Sequence, residues 1–434
     1  MKLIYNVEDK PKFGQLIVFA IQQLLAIMAA TLVVPVIING NAGLEGENAM
    51  STAAALFGAG VGTLIYVLFT RRKSPVFLGS SFAFIGSMTA AFAGAASVAV
   101  GYLGLIIGAV FAGLVYVVIA LVVKVVGVDW LNKLMPPVVI GPTVAIIGLS
   151  LAGNAVGDLQ KPNMDGGNTL VAVLCGLVTL IVTTLCATYG KKTAKLIPFI
   201  IGILSGYALA GILTAIGFAA GIDALKILNI APVTGLVANG INLNTFITVP
   251  DFTFITAMGG FKGIDGAYIG TVAMAYVPVA LVVFAEHIAD HKNISSIIDK
   301  DLLTDGVGSM VGAIFGGCPN TTYGESVACV AITRNASVST IITAAFGAII
   351  ISFLAPFVAF VNSIPSCVMG GVSLSGGKGK PVGVALGAVF VGILENGMTL
   401  LNISSYVQQV VQGIVLVGAI AFDVYKTRRQ AASK

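Results

Sequence analysis

"CPNTTYGESVACVAITR", residues 318–334, lies between two long apolar stretches, where one more membrane helix would be expected. It opens instead on Cys318-Pro319 and passes through Asn320-Thr321-Thr322-Tyr323-Gly324. It then reaches a carboxylate, Glu325, before turning apolar. Pro and Gly interrupt a helix, and in lipid an irregular backbone is tolerated only where it lines a cavity or is buried in protein. A charged side chain at the bilayer centre costs about 2.5–3.5 kcal/mol on insertion scales. A stretch that carries both features reads as a broken span built around a polar site.

The design occurs twice. "SPVFLGSSFAF" (74–84) also starts at a Pro, runs through extended residues to a Gly, and then becomes small and helical. A second pair, "LMPPVVIGPTVAIIGLSLAG" (134–153) and "SIPSCVMGGVSL" (363–374), shares a Pro-apolar-Met/Ile-Gly pattern. The third and fifth spans thus recur as the tenth and twelfth. An odd offset inverts the topology, which is the signature of an inverted-repeat transporter with its binding site at the interrupted segments.

The rest of the chain agrees. It has 434 residues, 57% hydrophobic and only 9% charged, with 53 Gly. This is the composition of a polytopic, all-α membrane protein whose helices pack closely. Candidate spans fall at 14–38, 51–70, 74–94, 98–123, 133–153, 169–189, 195–219, 266–289, 303–317, 318–334, 337–361, 363–375, 382–401 and 407–425. That is about fourteen, several of them short or broken. The polar start, MKLIYNVEDKPKFGQ, leads into a full-length span and does not read as a signal peptide. Basic residues cluster on alternate loops (Lys10 and Lys12, Arg71-Arg72-Lys73, Lys191-Lys192, Lys426 with Arg428 and Arg429). Loop 39–50 has two Glu and no basic residue. The positive-inside rule therefore places both termini in the cytoplasm of a cell-membrane protein and the long loop 222–262 outside. The net charge of +5 reflects these loops, and no nucleic-acid surface is indicated. Five scattered Cys suggest packing, not disulfides or a metal site.

Ionisable groups inside spans are few. The densest set is "VVFAEHIADHKN" (282–293), at the cytoplasmic end of the eighth span. Glu286 and Asp290 are four apart and share a helix face, with His287 about 100° round. A carboxylate in a low-dielectric site holds its proton more readily than one in water. It can donate a hydrogen bond and later release the proton, the chemistry of proton-coupled transport. The competing reading makes Asp290, His291 and Lys292 a solvated helix end, and His287 a structural hydrogen-bonding group. Glu325, near the start of a half-helix, sits where free N–H groups and the positive end of the dipole converge. It either accepts from a ligand N–H or merely satisfies its own backbone. Gln22 and Gln23 reach a cavity or make packing bonds. Glu395 reads as structural, and Arg334 as snorkelling to the cytoplasmic surface. The sequon Asn320-Thr321-Thr322 is a chance match inside a span.

At these residues the chain resembles the nucleobase–ascorbate transporters, and within them the uracil permeases. The matching stretches are "QQLLAIMAATLVVPV" (22–36), "FLGSSFAFI" (77–85), "MPPVVIGPTVAIIGL" (135–149), "FAEHIADHKN" (284–293), "PNTTYGESVACVAITR" (319–334) and "IPSCVMGGVSL" (364–374). The resemblance implies fourteen spans in two inverted repeats of seven, with core and gate domains. It also implies short antiparallel strands in spans three and ten. The first repeat would cover residues 1–221, and spans eight to twelve 222–374. The substrate would be uracil or a related nucleobase, bound by Glu286 and Glu325 and by backbone near Phe82 and Gly324. Phe82, Tyr323 and Ala30 would line the pocket. A proton would be the coupling ion, with Asp290 where some uracil permeases carry a proton-handling His. No cofactor is implied; lipid surrounds the chain, and a homodimer is possible within the resemblance. Glu325, where the purine branch typically has Gln, favours uracil over xanthine, so a xanthine or purine symporter is the runner-up. Ser326 and Ala328 replace a common Asn and Gly.

The resemblance ends near residue 374. The segment 375–429 resembles the C-terminus of ribose-type ABC sugar permeases. The internal repeat shows the same discontinuity. The fifth span stays apolar long after Met135, whereas its counterpart reaches Gly376-Gly377-Lys378 soon after Ile364. A natural recombinant, an engineered fusion and a sequence error are the alternatives. On the first two, 375–434 supplies two spans and a basic cytoplasmic end in place of spans thirteen and fourteen. The tail alone would favour an ABC importer subunit. Without a nucleophile motif, metal cluster or P-loop, an enzyme is not expected.

Overall fold

The computed structural model describes residues 3–126, 152–191, 193–238, 240–298 and 307–373. Most of the span expected over 133–153, those at 382–401 and 407–425, Glu395 and the whole tail lie outside the described residues.

The described chain is a set of helices, with its two strands at the two breaks. Helices α1 (Phe13–Ala42) and α2 (Thr52–Phe69) lead to strand β1 (Leu78–Ser80), a single 3-10 turn at Phe82–Phe84, and α3 (Ile85–Ala93). Then come α4 (Val98–Val126), α5 (Ala152–Leu159), α6 (Thr169–Tyr189) and α7 (Pro198–Ala220). After a connection holding short helices at Ala231–Gly235, Leu243–Phe246 and Thr253–Met258, α8 (Gly266–Ile298) and α9 (Val307–Gly316) lead to strand β2 (Asn320–Thr322). Helices α10 (Gly324–Thr333), α11 (Val338–Ser352), α12 (Ala355–Ser363) and α13 (Ser366–Ser373) complete the described chain. Among the described residues, six helices are long and apolar enough to cross a membrane: Phe13–Ala42, Gly46–Phe69, Val98–Ile119, Thr169–Tyr189, Pro198–Ala220 and Gly266–Ile288. This is a multi-pass membrane protein.

Two expected boundaries change. The span expected over 337–361 is two helices with a break at Phe353-Leu354. Pro356 has no N–H to continue the bonding of the preceding helix and sits in the first turn of the next, and Leu354 is extended and bridges Ile247. The eighth span, expected to end at 289, continues as α8 to Ile298, and its far end stays packed: Asp290, His291 and Ile294 are buried.

The two breaks meet. β1 and β2 form a two-stranded antiparallel sheet pairing Leu78 with Thr322, Gly79 with Thr321 and Ser80 with Asn320. The Ser81 N–H extends the ladder to the Pro319 carbonyl at 2.8 Å. A sheet edge inside a membrane protein needs partners for its backbone. Thr63 of α2 supplies one, its hydroxyl accepting from the Leu78 N–H at 3.0 Å. Ser326 supplies another, its Oγ accepting from the Phe77 N–H at 2.9 Å. Small residues let helices close around the sheet. Any side chain at Gly58 or Gly316 would strike the backbone of the facing helix, α9 or α2.

Candidate functional site

The sheet delivers the start of two half-helices to one place. Beyond β1 the chain turns through Phe82–Phe84 into α3, and beyond β2 it enters α10 directly. Tyr323 is the N-cap of α10 and contributes no side-chain cap, so the N–H groups of the first turn other than that of Glu325 keep their donor capacity. Gly324 is exposed and Glu325 half-buried at that opening. The Glu325 backbone N–H is within hydrogen-bonding reach of its own carboxylate. Glu286 of α8 is also half-buried and lies close enough to Asp290 and Glu325 for their charges to interact. Three carboxyl groups from two elements therefore converge beside a helix N-terminus.

The flanking residues are held from several sides. The Tyr323 ring is buried, and its hydroxyl donates to the Ser80 carbonyl at 2.6 Å, tying α10 to β1. The ring lies against Gly79, where a Cβ would come within 2.5 Å of it and 2.7 Å of the Thr31 hydroxyl. Ala30, beside Thr31 in α1, is buried in the same cluster as Tyr323. Phe82 is half-buried and packs against both hydrophobic clusters of the core. The residues expected to line the pocket are thus brought together around the paired strands.

His287, Asp290 and His291 of α8 are not solvated. Asp290 is 8% and His291 4% exposed, which overturns the solvated-end reading for both. Asp290 Oδ2 accepts from the Thr322 hydroxyl at 2.8 Å. His287 Nε2 lies 2.7 Å from Thr321 Oγ1 and accepts from the Thr322 N–H at 3.2 Å. The His287 ring stacks on Tyr116 of α4 at 5.4 Å between centroids. Strand β2 is therefore fastened to α8 by side chains on both sides of Thr322.

Sequence reasoning gave no weight to several supports. Ser326 accepts from Phe77, and its carbonyl accepts from Gln23 Nε2 at 3.3 Å, joining α10 to the first break and to α1. Asn320 is buried and donates its amide to the Gly58 carbonyl at 3.0 Å, which removes it as a glycan acceptor. Polarity inside apolar segments was the available signal for both. Arg334 is exposed, and its carbonyl accepts from the Ile4 N–H at 2.8 Å. Among the described residues, no group of three or more His, Cys, Asp or Glu is arranged to hold a metal ion, and the five cysteines are free.

With this geometry in view, comparison with known proteins is decisive. A family model described as "Permease family" matches residues 14–377. The chain belongs to this permease family. It is a transporter, not an enzyme. It is 35% identical over 383 residues to the uracil permease of Bacillus caldolyticus, covering 86% of this chain and 79% of that one. The uracil permeases of Bacillus subtilis and Escherichia coli K12 are 34% and 33% identical, covering 86% and 85% of this chain and 79% and 78% of theirs. Among solved structures, the transmembrane domain of the cyanobacterial bicarbonate transporter BicA shares the fold. The TM-score is 0.54 at 13% identity, over 95% of this chain and 99% of that one. The family match ends at residue 377, three residues past the point where the sequence resemblance breaks off.

Proposed function

We propose that the chain imports uracil across the cytoplasmic membrane in symport with protons. The observation that carries this reading is the convergence of Glu286 and Glu325 on the N-terminus of α10, beside the paired strands. Uracil is flat and alternates N–H donors with carbonyl acceptors. Glu325 and Glu286 accept from its N–H groups, and the backbone N–H groups at Gly324 and near Phe82 donate to its carbonyls. Phe82, Tyr323 and Ala30 form the apolar walls. The names of the relatives support uracil as substrate.

The proton is carried by Glu286 and Asp290, with His287 beside them. Asp290 bonds Thr322, so its charge state is coupled to the position of β2. The fold comprises two inverted repeats of seven spans, with core and gate domains that rock against each other to alternate access. Both termini are cytoplasmic, and the chain pairs as a homodimer. Uptake of radiolabelled uracil by cells expressing the chain tests the proposal. Uptake is expected, a protonophore should abolish it, and excess xanthine should not compete. Transport indifferent to the protonophore would remove proton coupling, and preferential competition by xanthine would transfer the assignment to purines.

A further inference from the structure

Two histidines sit four residues apart on α8, and their surroundings give them opposite tautomers. His287 Nε2 accepts from a backbone N–H, that of Thr322, so it carries no proton of its own. The Thr321 hydroxyl 2.7 Å away donates to the same nitrogen. The neutral ring therefore holds its hydrogen on Nδ1. Adding a proton at Nε2 would break both contacts with β2.

His291 is arranged the other way. The Tyr66 hydroxyl donates to Ser74 Oγ at 2.7 Å. Its hydrogen is committed there, so at the 3.1 Å contact with His291 Nε2 the histidine is the donor. Nδ1 is then a bare lone pair. It is buried and has no hydrogen-bond partner among the described residues. A proton can join Nδ1 while the bond to Tyr66 stays intact, which is not true of His287.

The position suits a proton path. His291 follows Asp290 directly on α8 and lies one helical turn beyond His287. Ser74 adjoins the exposed basic loop Arg71-Arg72-Lys73. Tyr66 of α2 bonds His291, Glu286, His287 and Asp290 precede it on α8, Tyr116 of α4 stacks on His287, and Glu325 of α10 interacts with Asp290.

We propose that His291 is a proton-accepting residue of the transport cycle, held by Tyr66 and Ser74 in the tautomer that leaves Nδ1 open. A proton binds the Nδ1 lone pair to give imidazolium while the Nε2–H bond to Tyr66 is kept, and the same Nδ1–H bond breaks when the proton is released. This rests on the symport reading above.

Proteoliposomes loaded for radiolabelled uracil exchange, and separately driven by an imposed pH gradient, test it. His291→Gln keeps an N–H for Tyr66 and removes the titrating nitrogen. It should preserve exchange within about twofold and lower gradient-driven accumulation by about tenfold or more. Accumulation and a pH profile equal to those of the parent overturn the inference while leaving symport standing. A parent that exchanges uracil but ignores the gradient overturns symport and this inference together. Tyr66→Phe, which keeps the imidazole, decides the matter if His291→Gln does not fold. Its uptake profile should shift by about half a pH unit or more, and an unchanged profile overturns the inference.

Discussion

The two breaks are alike in backbone and unlike in side chains. Each runs from a Pro through a three-residue strand into a half-helix, and the strands pair. In the first, Val76-Phe77-Leu78-Gly79 is apolar, and the neighbouring residues Thr63 and Ser326 satisfy its backbone. In the second, Asn320-Thr321-Thr322 carries its own polar groups, each bonded to a different support, and Glu325 follows. Their glycines contrast in the same way: Gly79 is packed under the Tyr323 ring, whereas Gly324 faces open space apart from Asp290 Oδ1, 3.8 Å from a hypothetical Cβ. One break is a platform. The other presents chemistry.

Four substitutions sharpen or break that contrast. Glu325→Gln replaces an ionisable acceptor by an amide of the same shape. A hydrogen bond to a charged group contributes roughly 1.5–3 kcal/mol, so uptake at low uracil should fall about 10–100-fold with little loss of stability. Parent-like uptake would deny the second break its role in binding. Gly79→Ala should destabilise the purified protein by about 1–3 kcal/mol, because the pinned Tyr323 ring cannot yield. An unchanged thermal midpoint would mean the platform is loosely packed. Thr322→Val removes the hydroxyl that bonds Asp290 and should cost about 1–2 kcal/mol in denaturant unfolding. No change would uncouple β2 from α8. Gly324→Ala should alter stability by less than about 0.5 kcal/mol, because little lies near the new methyl. Its uracil uptake should nonetheless drop, since the methyl intrudes on the proposed base edge. Normal uptake would remove Gly324 from the pocket.

Much of the site was legible because lipid makes polarity conspicuous. Glu286, Glu325 and the paired Pro-to-Gly interruptions stand out in a chain with only 9% charged residues. The antiparallel strands, by contrast, came from resemblance, since a three-residue strand has no periodicity to read. The clasp of Thr321 and Thr322 on α8 was not legible at all, because its partners are over thirty residues apart. The competing reading of His291 as part of a solvated helix end failed for a related reason. A basic cluster at a helix end is normally exposed, and here α8 continues to Ile298 with Ile294 buried.

The sequence by itself determined the class of molecule, the two interrupted segments and the carboxylates, since these follow from what lipid tolerates along one chain. The tertiary structure alone decided the register that sets Leu78 against Thr322, the different fates of Gly79 and Gly324, and the opposite tautomers of His287 and His291. Those properties depend on which donors and acceptors distant segments bring within about 3 Å, and hydrogen bonds act over no longer range.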